Sequence, residues 1–192
     1  MTKKLSPQEG QILLAAARQV IVSHLNGKEN PQLKLEDYSP GLAGNGACFI
    51  TLTKKGSLRG CIGSIEASQP LIKDVQDRAI GAAFKDPRFP KLKLEELPDL
   101  QIEVSRLTIP EKIAYTTPDD LVNKLRPGID GVILSQNFRR ATFLPQVWDQ
   151  LQDPEQFLGR LCQKMGLDPE AWRNQHLDVE TYQVEKFIES DQ

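Results

Sequence analysis

A chain of 192 residues is long enough for one domain with a proper core and too short for two full ones, so residues 1–192 are read as a single domain that can divide into two lobes. Hydrophobic residues at 39%, charged residues at 26% and a formal net charge of −2 describe an ordinary soluble globular protein; acidic and basic side chains nearly cancel, which argues against nucleic acid as a partner. The start MTKKLSPQEG runs into an amphipathic helix instead of an apolar signal sequence, and no later stretch nears the roughly 18 apolar residues of a membrane span, so a cytoplasmic protein with no membrane partner is expected.

Ser6-Pro7-Gln8-Glu9 combines an N-cap serine, a proline at the first helical position and a glutamate three residues after the cap, which together predict a capped helix start. Ile12, Leu13, Ala16, Ala17, Val20, Ile21 and His24 or Leu25 follow at spacings of three and four, a single apolar stripe that ends before Asn26-Gly27 and is expected to cover a sheet. Residues 28–46, rich in Pro, Gly, Asn and charge, read as a long surface connection. Ala47 to Leu52 and Leu58 to Gly63 are strand-like runs joined by the polar turn Thr53 to Ser57, which predicts a hairpin. Leu71, Ile72, Val75, Ala79, Ala82 and Ala83 make the buried face of a second helix, broken by the prolines of Lys85-Asp86-Pro87-Arg88-Phe89-Pro90.

In a third strand Leu100, Ile102 and Val104 alternate with Gln101, Glu103 and Ser105, apolar side toward the core. Thr117-Pro118 opens a short helix through Leu121, Val122 and Leu125, stopped by Arg126-Pro127-Gly128. Gly131 to Ser135 and Ala141 to Leu144 form a second hairpin around Gln136 to Arg140, and Pro145 leads into a segment containing Trp148. Asp153-Pro154-Glu155 starts a helix with Phe157, Leu158, Leu161, Cys162 and Met165 inside, closed by Gly166, and Asp168-Pro169-Glu170 repeats the cap. Val179 to Ile188 alternates as a last strand with Tyr182, Val184 and Ile188 on one face. Helices and strands mixed without a regular strand-helix-strand repeat predict an α+β fold of mostly antiparallel sheets flanked by helices.

The stretch richest in chemistry is Leu58-Arg59-Gly60-Cys61-Ile62-Gly63. Strand alternation sends Leu58 and Ile62 toward the core and Arg59, Cys61 and Gly63 to the other face. Cys61 is then the one thiol with a cation on its own face, and a neighbouring guanidinium favours a thiolate. That makes Cys61 a candidate nucleophile or ligand-contacting thiol, with a half-buried cysteine at a glycine-rich kink as the plainer account. The histidine base usual in cysteine enzymes is missing, because His24 and His176 stand alone in the sequence. Gly60 and Gly63 call for a bulge or for a ligand approaching the backbone, and the segment from Ser64 onward can offer N–H groups to an anion. If the strands at 58–63 and 100–105 share a sheet, Glu103 can meet Arg59 across it, or it can be a solvated edge carboxylate. Asp86 and Arg88, flanking Pro87, are a turn-stabilising pair or ligand contacts. Three cysteines without CxxC spacing read as free thiols, Cys162 as a small buried hydrophobe, and neither a metal site nor a cofactor motif is present in the sequence.

With these residues in view, the chain resembles the AMMECR domain family, whose prokaryotic members are called AmmeMemoRadiSam system protein A. The LRGCIG hexapeptide is that family's hallmark. Further matches lie in Gly46-Ala47 with Phe49 to Leu52, in Asp86-Pro87-Arg88-Phe89, in Ile102-Glu103-Val104-Ser105, in Asp130-Gly131, and in Ala141 through Trp148; they span roughly residues 10–188. Cys48 departs from the family pattern. The resemblance implies an α+β fold in two lobes with the hexapeptide near a cleft between them. It also implies the company of a Memo-like protein and a radical S-adenosylmethionine protein in a shared pathway, without supplying a reaction.

Two functions are therefore carried forward. One is a small enzyme or substrate-handling subunit in which Cys61 reacts, Arg59 binds an anionic group and Glu103 acts as acid/base or orients Arg59. The other is a non-catalytic binding or adaptor domain in which LRGCIG shapes a groove for a partner protein.

Overall fold

The structure is a computed structural model that describes residues 4–29 and 32–190. The chain divides into two compact units, residues 1–108 with 185–192 and residues 109–184.

In the first unit, helix α1 (Pro7–Leu25) begins with the predicted capping box: Ser6 Oγ accepts from the Glu9 N–H at 3.2 Å, and the Glu9 carboxylate accepts from the Ser6 N–H at 2.7 Å. Its stripe lies a little round from the one expected. Leu14 is buried and Ile12 is exposed, because at 3.6 residues per turn Leu14 sits nearer the line through Leu13, Ala17 and Val20. The supposed surface connection at 28–46 is partly structured, with a 3-10 turn at Leu35–Asp37 and a short helix α2 (Pro40–Ala43) whose Leu42 is fully buried. One apolar residue among prolines and glycines gives too little pattern to announce it.

Strands β1 (Asn45–Lys54) and β2 (Ser57–Gly63) make the first hairpin. It turns over Lys55 and Gly56, both left-handed at φ 49° and 77°, the conformation that matches strand twist in a two-residue loop. After β3 (Gln69–Pro70), which pairs with the start of β1, helix α3 (Leu71–Phe84) buries the whole predicted face. A 3-10 stretch at Leu94–Asp99 then leads into β4 (Leu100–Leu107). The core joins Ile50, Leu52, Ile102 and Val104 of the sheet to Leu13 and Ala17 of α1 and to Val75 and Ala79 of α3.

The second unit holds β5 (Glu111–Lys112), α4 (Pro118–Lys124), β6 (Gly131–Gln136), β7 (Arg139–Phe143), α5 (Pro154–Lys164), α6 (Ala171–Asn174) and β8 (Asp178–Tyr182). Its sheet runs β5-β8-β6-β7, and its core stacks Trp148 on Phe157 with ring centres 3.7 Å apart. The second hairpin is tighter than expected, with only Asn137 and Phe138 in the turn.

The predicted last strand proves to be two. β8 ends at Tyr182 in the second unit's sheet, while β9 (Val184–Ile188) completes the first unit's sheet in the order β2-β1-β4-β9. The alternation continues through Gln183, so the pattern carries no mark of the change of sheet. All the ladders with resolved register are antiparallel, and with the flanking helices they make an α+β fold.

Candidate functional site

The hexapeptide does not alternate as a plain strand. Thr51 pairs with Cys61 and Leu52 with Gly60, but the next residue, Thr53, pairs with Leu58. Arg59 is the extra residue of a β-bulge. The bulge reverses the face of everything before it. Leu58, expected in the core, is 45% exposed on the face it shares with Cys61, and Arg59, expected beside the thiol, is buried.

Arg59 spends its charge on a carboxylate the sequence did not single out. Its Nε and Nη2 donate to the two oxygens of Glu96 at 3.0 Å each, and Lys54 Nζ and the Lys93 N–H reach the same carboxylate at 3.0 Å. The hydrogen bonds from Arg59, followed by those from Lys54 and Lys93, outweigh desolvation and bring the Glu96 pKa down to about 2. The expected Arg59–Glu103 pair is therefore absent: β1 lies between their strands, and Arg59 is taken by Glu96.

The two glycines are explained by close approach. A Cβ on Gly60 would stand 2.2 Å from the Ala82 carbonyl oxygen of α3, and one on Gly63 would meet the Phe49 ring at 2.3 Å. The N–H of Ser64 is bonded to the Cys48 carbonyl at 3.1 Å, so that proton is already occupied within the fold. The hexapeptide's backbone is thus a packing surface for a helix.

β2 is an edge strand, and Asp86 and Arg88 cover its edge at Cys61. Asp86 Oδ2 accepts from the Cys61 N–H at 2.9 Å, and Arg88 Nη2 donates to the Cys61 carbonyl at 3.2 Å, a side-chain imitation of a neighbouring strand. The two are locked together, with Arg88 Nε on Asp86 Oδ1 at 2.9 Å and Nη2 on Oδ2 at 2.7 Å. These bonds hold the buried Asp86 carboxyl well below the usual carboxylate range.

On the opposite face from Arg59 and the core, three strands set Cys61, Thr51 and Glu103 in one row, each paired with the next. Thr51 Oγ1 donates to Cys61 Sγ at 3.5 Å. Glu103 accepts from the Ser105 hydroxyl at 2.9 Å and has Lys186 Nζ at 3.9 Å. The row offers a half-buried thiol, a hydroxyl and a carboxylate in sequence across the sheet. Thr51 was missed because a threonine in a strand carries no signal until its neighbours are known. Glu96 was missed because it lies among acidic residues of a loop-like stretch, LEELPD.

The other two cysteines are buried, Cys162 as expected of a small core hydrophobe. Cys48 is fully buried with Sγ donating to Asp74 Oδ2 at 3.4 Å, and burial, followed by that carboxylate, pushes its pKa well up; Cys162 is likewise buried and shifted upward by desolvation. A surface depression of about 520 Å³ in the first unit is lined by Gln11, Arg18, Leu97, Pro98 and Glu189 and includes none of the hexapeptide.

Fold and site together define an α+β protein in which an edge strand bearing a thiol is clamped between a helix backbone and an Asp-Arg pair. The sequence profile of the AMMECR1 family matches residues 14–187, and the chain belongs to that family. It is similar to a protein of Methanothermobacter thermautotrophicus, 42% identical over 187 residues with 96% of each chain covered, and to one of Methanocaldococcus jannaschii, 38% identical with 96% of this chain and 92% of the other covered. Among solved structures, an uncharacterized protein of Pyrococcus horikoshii superposes with a TM-score of 0.82 at 34% identity, covering 98% of this chain and 95% of that one. Among the described residues no helix is long and apolar enough to cross a membrane.

Proposed function

We propose that this chain is a small thiol-dependent enzyme, or the substrate-handling subunit of one, working in the cytoplasm through the row Cys61, Thr51 and Glu103. One observation carries the reading. Of the chemistry-bearing side chains in LRGCIG, the Arg59 guanidinium is buried with Nε and Nη2 on Glu96, while the Cys61 thiol remains partly exposed with a hydroxyl donor beside it. In this reading Cys61 meets the substrate, Thr51 steadies the sulfur through its O–H, and Glu103, one strand beyond Thr51, serves as acid/base toward the far end of the bound substrate and not toward the thiol itself. Arg59 leaves the site and becomes a support for the strand.

The test uses the unmodified chain, because burial protects Cys48 and Cys162. Iodoacetamide followed by peptide mass spectrometry is expected to label Cys61 alone, Thr51→Val to slow that labelling roughly threefold or more through loss of one hydrogen bond, and a small-metabolite fraction to protect it. Labelling that Thr51→Val leaves unchanged and no fraction slows would remove the support for the reading. The Memo-like protein and the radical S-adenosylmethionine protein are the proposed pathway partners, checked by co-purification with the tagged chain.

The exposed Leu58, on the same face as Cys61, favours a second reading, an adaptor surface for one of those partners. Leu58→Glu is then expected to fold normally and lose capture; unchanged capture removes this alternative.

A further inference from the structure

The Arg88 guanidinium has three nitrogens, and the fold uses two. Nε and Nη2 are spent on Asp86, with Nη2 also on the Cys61 carbonyl, whereas among the described residues no acceptor is bonded to Nη1. The clamp is asymmetric: the Asp86 side chain is 2% exposed and that of Arg88 54%. A buried carboxylate therefore fixes the orientation of a guanidinium whose remaining edge faces solvent. Phe89 adds a further restraint, with its ring centre 5.5 Å from Arg88 Cζ. This is a pre-oriented donor, costing little side-chain entropy when it takes an acceptor. Its place is beside the thiol-bearing residue, since Nη2 lies 3.2 Å from the carbonyl oxygen of Cys61. Asp86 foremost, and the Cys61 side chain with it, raise the Arg88 pKa, consistent with a guanidinium next to the sulfur.

We infer that Arg88 Nη1 is the point where an anionic group of the substrate is held, so that the substrate of the Cys61 site is a small electrophile carrying a carboxylate or similar oxyacid group. The inference rests on the reading of Cys61 as the reacting thiol and transfers to Arg88 the anion-binding role that strand alternation assigns to Arg59. With two nitrogens committed to Asp86, Arg88 holds its guest through one nitrogen. Because Asp86 offsets much of its charge, the preference is modest and directional.

Iodoacetate and iodoacetamide test this directly, since they share one reaction and differ in charge. In each, the Cys61 thiolate donates its electron pair to the methylene carbon; a C–S bond forms, the C–I bond breaks, iodide leaves with its pair, and the thiol proton passes to solvent. The readout is the ratio of the two rates at Cys61, compared with the same ratio for the neutral thiol N-acetylcysteine amide. The expected ratio on the protein is roughly threefold to fivefold above the reference at about 0.1 M salt and drops toward it at about 1 M, where screening is nearly complete. Arg88→Gln is expected to bring the ratio to the reference value, and Arg88→Lys to keep part of it. Circular dichroism checks that each variant is folded; if Arg88→Gln is not, the salt dependence of the unmodified chain decides. A ratio equal to the reference, or one that neither salt nor Arg88→Gln lowers, overturns the inference while leaving Cys61 labelling by iodoacetamide intact. Failure of iodoacetamide itself to label Cys61 overturns the underlying reading and the inference with it.

Discussion

The two β-hairpins are built alike up to a single residue. Both turn over two residues with a left-handed first position, Lys55 in one and Asn137 in the other, and both end in an edge strand, β2 and β7. Both edges are covered by side chains: Asp86 and Arg88 on Cys61, and Lys164 Nζ on the Thr142 carbonyl at 2.9 Å. In the second hairpin the register runs unbroken from Gln136 with Arg139 to Val132 with Phe143, so Val132, Leu134 and Ala141 reach the core as plain alternation requires. In the first, Arg59 is inserted. That one residue moves a cation to the buried side, brings Leu58 out, and leaves the Cys61 thiol on the other face without it. A bulge here sorts structural chemistry from available chemistry.

The strongest way to break this comparison is at the glycines. Gly60→Ala drives a Cβ to 2.2 Å from the Ala82 carbonyl, a backbone atom that moves only with its helix, so a loss of about 4 kcal/mol or failure to fold is expected in urea unfolding. Gly131→Ala, in the second hairpin, meets the buried Tyr182 ring at 2.4 Å, a side chain and not a helix backbone, and about 2 kcal/mol is expected. Equal losses would mean that the helix contact is no special feature of the hexapeptide.

Next is Arg59→Met, which leaves the largely buried Glu96 with Lys54 as its remaining side-chain partner and is expected to cost about 3 kcal/mol. The rate of Cys61 alkylation by iodoacetamide should stay within roughly twofold of the unmodified chain, since the charge removed is on the opposite face. A large change in that rate would put Arg59 back in the site.

The last effect is in pH, and it is seen only at the acid end. The folded pKa of Glu96, about 2, lies below the ordinary glutamate value near 4.3, and Asp86 is displaced in the same direction. Their stabilisation is fully present above the unfolded values and is lost as pH falls through the folded ones. The contribution from Glu96 is roughly 2 to 3 kcal/mol, disappearing between about pH 4.5 and about pH 2. Thermal unfolding of Glu96→Gln against the unmodified chain is expected to show a flatter acid limb over that window.

How much was legible differs between local and non-local features. The capping box at Ser6, the breaks at Pro87 and Gly166, the buried face of α3 and the alternation of β4 all follow from a few neighbouring residues, and each stands in the structure. Glu103 lies opposite the core as the alternation predicts, and of its two readings the pairing with Arg59 fails, because strand order cannot be read from either strand alone. Asp86 and Arg88 read as a local pair or as ligand contacts; that they complete the edge of β2 depends on Cys61, 25 positions before Asp86 and 27 before Arg88.

The sequence by itself determined most of the longer elements, the α+β class and the family, since propensity, capping and period act within a few residues and the hexapeptide is specific. Tertiary structure decided which side of the sheet each part of that hexapeptide serves. A bulge is visible only in the register against a partner strand, and a glycine's purpose only in the backbone that approaches it. LRGCIG alone could not show that its arginine is structural, that its glycines admit a helix, or that its thiol stands in a row with Thr51 and Glu103 beside Arg88.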